Sequence, residues 1–289
     1  MKNKVCLIFA SLAAMSGLMF AQESRTALPK DWHPSPASKV SQFEKAPGAL
    51  EPATTACSAS FSGGSGDTAT ALCVSANGTI PKFSRAGEEM INVGTVDEGY
   101  GICDFTSSVA YYDYSWEDSG NWLPATFTSN ATSATSTRLT SDGIWKLVNT
   151  VTFGKPTPTS AGKATVRMVL SNLTGVTRDA YILRHADVDA DGDVTDNDFD
   201  WTINTVTGQY AVAGSESFGY GLQLVNQTFN SAISHNEYAL NTFRGPNPCS
   251  PFTTISTQPF HGDGSEMALY FAAVPAHQSK TITVAYVPE

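Results

Sequence analysis

Positive charge is scarce in this sequence. It carries 17 Lys and Arg against 27 Asp and Glu, a formal charge of −10 at pH 7 over 289 residues. A nucleic-acid groove needs clustered Lys and Arg, so that class of partner is not expected. Long apolar runs are scarce too: after Phe20 no segment approaches the roughly 20 apolar residues that span a bilayer. There are five cysteines and no CxxC spacing, which argues against a structural zinc site or a dithiol redox motif. Also missing are the GxSxG turn of a serine nucleophile, the HExxH zinc helix, the P-loop and a glycine-rich dinucleotide turn. No apolar stripe of helical period and no fixed-length repeat is present.

What is present begins with MKNKVCLIFASLAAMSGLMFAQ. Lys2 and Lys4, the apolar run from Val5 to Phe20 and the small Ala21 have the layout of a secretory signal peptide over residues 1–21. Its removal would leave 15 basic residues against 27 acidic ones, a charge of −12. That balance suits solubility outside the cytoplasm and an affinity for cations. The expected location is secreted, extracellular or periplasmic, with no stable membrane span after cleavage. Cys6 would leave with the leader, and Cys57, Cys73, Cys103 and Cys249 remain. An even count in an exported chain points to two disulfides with three possible pairings. Local closure by Cys57 and Cys73 and long-range closure by Cys103 and Cys249 is the favoured one.

Residues 22–55 are rich in Pro, Ser and Ala and lack apolar periodicity, the composition of an extended leader or linker. Residues 56–289 change character. Runs rich in Thr, Val, Ile, Phe and Tyr alternate with Gly, Asn, Asp and Pro, which predicts an all-β domain, a single large antiparallel β-sandwich or supersandwich. Asn77-Gly78 marks a hairpin between two strand-like runs. ATVRMVLSNLTGVTRDAYILRHADV reads as two long strands turning at Asn172 to Gly175, and ALYFAAVPAHQSKTITVAYV as a final hairpin. The polar TFTSNATSATSTRLTSDG is either a crossing loop or an edge strand. Four Asn-x-Thr sequons, at Asn77, Asn130, Asn172 and Asn226, are read first as turn formers.

The densest feature is HADVDADGDVTDNDFDW, with seven aspartates between Asp187 and Asp200. Placed on a twelve-residue calcium loop, Asp187, Asp189 and Asp191 take positions 1, 3 and 5, and Gly192 permits the bend at 6. Asp193, Thr195 and Asp198 then fall at 7, 9 and 12. The stretch resembles the calcium loop of EF-hands, and more closely that of dockerins with the apolar Val194 at position 8. The resemblance implies one Ca²⁺ held by hard oxygen ligands. Asp198 stands where those loops carry a longer, bidentate Glu, and the flanks YILRHA and FDWTIN are strand-like rather than helical. Such an ion is a staple: it offsets carboxylate repulsion and locks a loop between strands.

YYDYSWEDSGNW concentrates aromatics and acids. On a strand Tyr112, Tyr114 and Trp116 share one face, and with Trp122 they form a candidate surface for stacking on sugar rings; core packing, with the acids facing water, is the alternative. NLTGVTRDAYILRH is similar to galactose-mutarotase-type supersandwich enzymes, in which strands around an Asn-containing turn lead to a catalytic His. That likeness implies carbohydrate chemistry near His185, although Ala186-Asp187 follows where those enzymes carry Pro-Tyr-Phe. A strand-end His satisfied by a hydrogen bond is the alternative. Three functions are therefore in play. The first is a non-catalytic, calcium-stabilised β-domain that binds carbohydrate or a cell-surface component. The second is a secreted carbohydrate-active enzyme, mutarotase-like or polysaccharide-cleaving, and the third a structural extracellular protein.

Overall fold

The computed structural model describes residues 56–91, 97–115, 117–190, 197–204, 208–215, 220–228, 235–240, 245–251, 260–261 and 264–288. The signal-like run and the leader, residues 1–55, lie outside them. In chain order the strands are β1 (Ala59–Gly63), β2 (Thr70–Val74), β3 (Lys82–Arg85), β4 (Glu88–Glu89), β5 (Asp97–Asp104) and β6 (Val109–Ser115). Then follow β7 (Thr126–Ser129), β8 (Ser133–Leu139), β9 (Trp145–Gly154), β10 (Lys163–Asn172), β11 (Arg178–Asp187) and β12 (Asn197–Asn204). The last are β13 (Gly208–Ser215), β14 (Gly221–Asn226), β15 (His235–Leu240), β16 (Phe260–His261), β17 (Ser265–Val274) and β18 (Ser279–Pro288). No α-helix occurs among the described residues, and no helix there is long and apolar enough to cross a membrane.

The period-2 pattern of the sequence builds the first layer. In β9, Trp145, Leu147, Val151 and Phe153 are buried, while Lys146, Thr150 and Thr152 face outward. β10 repeats this with Ala164, Val166, Met168 and Leu170 inside and Lys163 and Arg167 outside. These strands lie in a nine-stranded antiparallel sheet of order β16-β12-β13-β14-β18-β10-β9-β8-β7. The Thr/Ser-rich stretch forms β8 and the edge strand β7, where polar side chains suit a strand with one partner.

β11 behaves differently. Every residue from Ala180 to Asp187 is buried, the signature of a strand covered on both faces. It lies in a five-stranded sheet of order β15-β17-β11-β5-β6. Ala180, Ile182 and Ala186 turn to the core shared with the nine-stranded sheet. Tyr181 and Leu183 turn the other way, into a second apolar cluster with Cys103, Tyr114, Met267 and Leu269. The two sheets stack face to face as an antiparallel sandwich. A smaller sheet, β1-β2-β3-β4, contributes Phe61, Leu72, Val74 and Phe83 to the shared core.

Two expected turns prove to be corners between sheets. β10 and β11 do not pair with each other; β10 pairs with β9 and β18, and β11 with β17 and β5. The expected final hairpin is corrected in the same way, because β17 belongs to the five-stranded sheet and β18 to the nine-stranded one. The physical reason is burial: β11 and β17 are covered on both faces, β10 on one, so they belong to different layers. Asn172 ties the two corners together. Its Nδ2 donates to Val176 O at 2.7 Å and to Val274 O at 2.9 Å, and its backbone N–H donates to Gln278 O at 3.0 Å.

The hairpin at Asn77-Gly78 forms as β2 and β3, with a longer tip than two residues. Ser75 N–H donates to Thr79 O at 3.0 Å, and Gly78 takes φ +85°. Asn130, Asn172 and Asn226 act as turn formers: each Oδ1 accepts the backbone N–H two residues on, at 2.9 Å.

Both disulfides close as favoured, Cys57 with Cys73 and Cys103 with Cys249, at sequence separations of 16 and 146.

Candidate functional site

The acidic stretch runs from one sheet to the other. β11 ends at Asp187 in the five-stranded sheet and β12 starts at Asn197 in the nine-stranded one. A second crossing, from β16 at His261 to β17 at Ser265, lies at the same end, since Asp198 pairs with His261 and Asp187 with Ser265. Alternation continues past the strand end. Val188 and Ala190 enter the shared core, which puts Asp187 and Asp189 on the opposite side. Both acids are buried, at 6 % and 2 % exposure. Asp189 N–H donates to Met90 O at 3.3 Å, fastening the stretch to the chain after β4. Asp191, Asp193 and Thr195 lie outside the described residues. Asp198 is on β12, so the twelfth position of the calcium template belongs to a strand.

His185 is fully buried on the outer side of β11. Its Nε2 lies 2.9 Å from Ser265 Oγ, and the Tyr114 ring packs edge-on against it at 5.4 Å. The distance is that of a nucleophile–base contact, but both residues have zero exposure, and acid–base or nucleophilic work needs a substrate beside the pair. Among the described residues His185 stands near the end of β11 with Ser265 Oγ as a hydrogen-bond partner.

The candidate aromatic row divides. Tyr112 and Tyr114 share a face, stacked at 5.3 Å with ring planes 16° apart. Tyr114 is buried, donates its hydroxyl to Pro246 O at 2.7 Å, and packs so tightly on Gly245 that a Cβ there would sit 2.2 Å from its ring. Tyr112 is half-buried and Trp116 lies outside the described residues. Trp122 is buried in the shared core, edge-on to Tyr100 at 5.7 Å, with the Arg138 guanidinium 5.1 Å from its ring.

Asp113 departs from the expectation that the acids of this row face water. It is buried, 2.6 Å from Arg138 Nη1, and accepts from Asn77 Nδ2 at 2.7 Å. Asp118 meets the same Arg138 nitrogen at 3.0 Å. Burial lifts Asp113 to about 6, against the pull of the Arg138 guanidinium.

A second buried network centres on Arg184 and Glu98, an ion pair with both side chains at zero exposure. Glu98 also accepts Tyr286 Oη–H at 2.6 Å and the Ile80 N–H. Arg184 Nε donates to Tyr286 Oη at 3.1 Å and Nη1 to Gly78 O at 3.3 Å. The tip of the β2–β3 hairpin thus wedges between the sheets, where a Cβ on Gly78 would come within 3.0 Å of Asn149 and Ser136. Sequence reasoning missed both networks, although one signal was available. An Arg inside the apolar run YILRHADV has to find a buried partner.

No protein-family profile and no curated relative matches the chain. Among solved structures it is similar to a bacterial glucoamylase complexed with acarbose, with 6 % identity and a TM-score of 0.55. The alignment covers 82 % of this chain and 32 % of that one, so the chain spans about a third of the glucoamylase. The two share a fold. A putative aldose 1-epimerase from Escherichia coli K12 aligns over 80 % of this chain and 99 % of its own, with 10 % identity and a TM-score of 0.44. A polysaccharide lyase aligns over 78 % and 33 %, with 9 % identity and a TM-score of 0.47. At those scores the last two add no weight.

Proposed function

We propose that the protein is an exported, carbohydrate-active β-sandwich. The observation that carries this is the two-sheet fold held in common with the glucoamylase over most of the chain. Two disulfides suit an oxidising compartment outside the cytoplasm. The likeness supports the catalytic form of the reading ahead of a general surface binder. A separate observation favours the binding form. Among the described residues the space between the sheets is filled by the hairpin tip and the Arg184–Glu98 pair, and His185 is sealed beneath Tyr114.

Calcium is part of the proposal. Asp187, Asp189, Asp191, Asp193, Thr195 and Asp198 would hold the ion, which would supply positive charge to the crossing. What supports the reading is the spacing of the oxygen-bearing residues along the sequence, with Asp187 and Asp189 on one side of the chain.

One experiment separates the two forms. The protein is run through gels cast with neutral and acidic polysaccharides, and each polysaccharide is then assayed for new reducing ends and unsaturated products. Retardation with products supports the enzyme, and retardation without products supports the binder. Neither effect on any polysaccharide sinks the carbohydrate reading.

A further inference from the structure

We propose that the cleft where Arg85, Lys155 and Lys163 converge binds the carboxylate or sulfate group of an acidic sugar. The inference rests on the carbohydrate reading and names the class of sugar. The cleft has a volume of about 570 Å³, within the range of small-ligand sites. Among the described residues its lining carries three cations and the hydroxyls of Thr157, Thr159 and Ser160, and no carboxylate; Glu88, opposite Arg85 on β4, stands outside it. In a chain of net charge −10 that is a local reversal of sign. It survives the overall charge because screening limits exposed charges to about 8 Å at physiological salt.

The three cations come from elements that the fold fixes in place. Arg85 ends β3, Lys155 follows β9, and Lys163 opens β10 opposite Gly154. The loop between the two lysines is closed by an isolated bridge from Thr157 to Ser160, with Thr157 N–H donating to Ser160 O at 2.9 Å. Arg85 is the most constrained. Its Nε donates to Asp67 O at 3.0 Å, and its guanidinium lies 5.2 Å from the centre of the Tyr220 ring. Its Nη1 is shielded from solvent and has no acceptor, and Arg85 forms no ion pair among the described residues. A guanidinium held by one backbone acceptor and one aromatic face, with no ion pair among the described residues, suits a planar or tetrahedral oxyanion. The hydroxyls of the loop match those of a sugar ring.

The test is titration calorimetry on the full chain with three probes: an oligogalacturonate, a neutral galactose oligomer of equal length, and inorganic sulfate. The oligogalacturonate should bind, at least tenfold tighter than the neutral oligomer, with affinity falling as salt rises. R85Q should weaken it about tenfold or more, the usual scale for a lost charged hydrogen bond, and K155Q should weaken it less. Thermal melts check that both variants fold, and K155Q alters only an exposed side chain. Equal affinity for acidic and neutral oligomers, or no effect of either variant, overturns the cleft and leaves the carbohydrate reading standing. Binding of sulfate without either saccharide overturns the cleft as a sugar site and leaves the carbohydrate reading standing. Acidic binding that appears only in E289Q also overturns it, because the chain's own acid beyond Pro288 would then be the occupant.

Discussion

β10 and β11, one in each large sheet, handle an arginine in opposite ways. β10 keeps its charges on its outer face, as Arg167 illustrates, and turns its other face to apolar contact. The five-stranded sheet is covered on both faces at its centre, so Arg184, one strand later in the chain, has nowhere to go but inside. The contrast shows that a strand covered on one face can turn an arginine outward, whereas a strand covered on both faces cannot. Both arginines have an apolar residue two positions on, Val169 and Ala186.

Replacing each by alanine gives the largest expected difference. Arg184→Ala leaves Glu98 buried without its cation, and such losses cost about 3–5 kcal/mol. Arg167→Ala changes an exposed side chain and should fall within about 0.5 kcal/mol. Urea denaturation of both variants checks this. Equal costs would mean that the Glu98–Arg184 pair is not holding the interior.

The disulfides sharpen the comparison next. Cys103–Cys249 ties β5 of the five-stranded sheet to a segment far along the chain, whereas Cys57–Cys73 closes a local loop beside β2. Loop entropy scales with the logarithm of length, so separations of 146 and 16 predict that losing the long-range bond costs about 2 kcal/mol more. The paired alanine variants, compared in the same denaturant series, test that difference.

The crossing between the sheets comes third. If calcium binds the acidic stretch, chelation should lower the melting temperature by an amount that corresponds to about 2.7 kcal/mol at 100 times the dissociation constant. Asp191→Ala should reproduce the loss and become insensitive to chelator, while Asp200→Ala should change little. A wild-type melt that chelator does not move removes the ion from the account.

The smallest effect sets buried Glu98 against half-buried Glu89. Glu98 has Arg184. Glu89, on β4, has the Phe83 N–H at 2.7 Å, and burial lifts it to about 7 from an ordinary 4.5. A carboxyl raised on folding binds its proton more tightly in the native state. Its contribution is complete below about pH 4.5 and is lost as pH rises through 7. Glu89→Gln keeps a neutral acceptor, so the variant's melting temperature should gain on wild type across that window and hold the gain above it. Parallel pH profiles would show that Glu89 does not titrate there.

The sequence made the strands legible and left their layering hidden. Alternation in IWKLVNTVTF placed Trp145, Leu147 and Val151 on one face because a one-sided strand writes its environment with period 2. YILRHADV was read as a strand as well, but a strand buried on both faces carries no sign of which sheet it joins. The corners at Asn172 and at residues 275–278 were therefore mistaken for ordinary turns. The cysteine pairing was legible from spacing. The Arg184–Glu98 and Arg138–Asp113 pairs were not, because their partners are 86 and 25 residues apart in the chain and only the stacked layers bring them together. The Arg85 cleft was hidden for the same reason: its cations sit on β3, after β9 and on β10, and none belongs to a motif.

The two late strands have a consequence for timing. β18 lies between β14 and β10, and β17 between β15 and β11, so residues 265–288 supply an interior strand to each large sheet. A nascent chain that stops before residue 265 lacks a neighbour for β10 in one layer and for β11 in the other. The partners it waits for are 78 to 122 residues away, and long-range pairing of that kind is slow. Such a polypeptide cannot seal its interior while it is still being made. Its two layers stay open until residues 265–288 have paired.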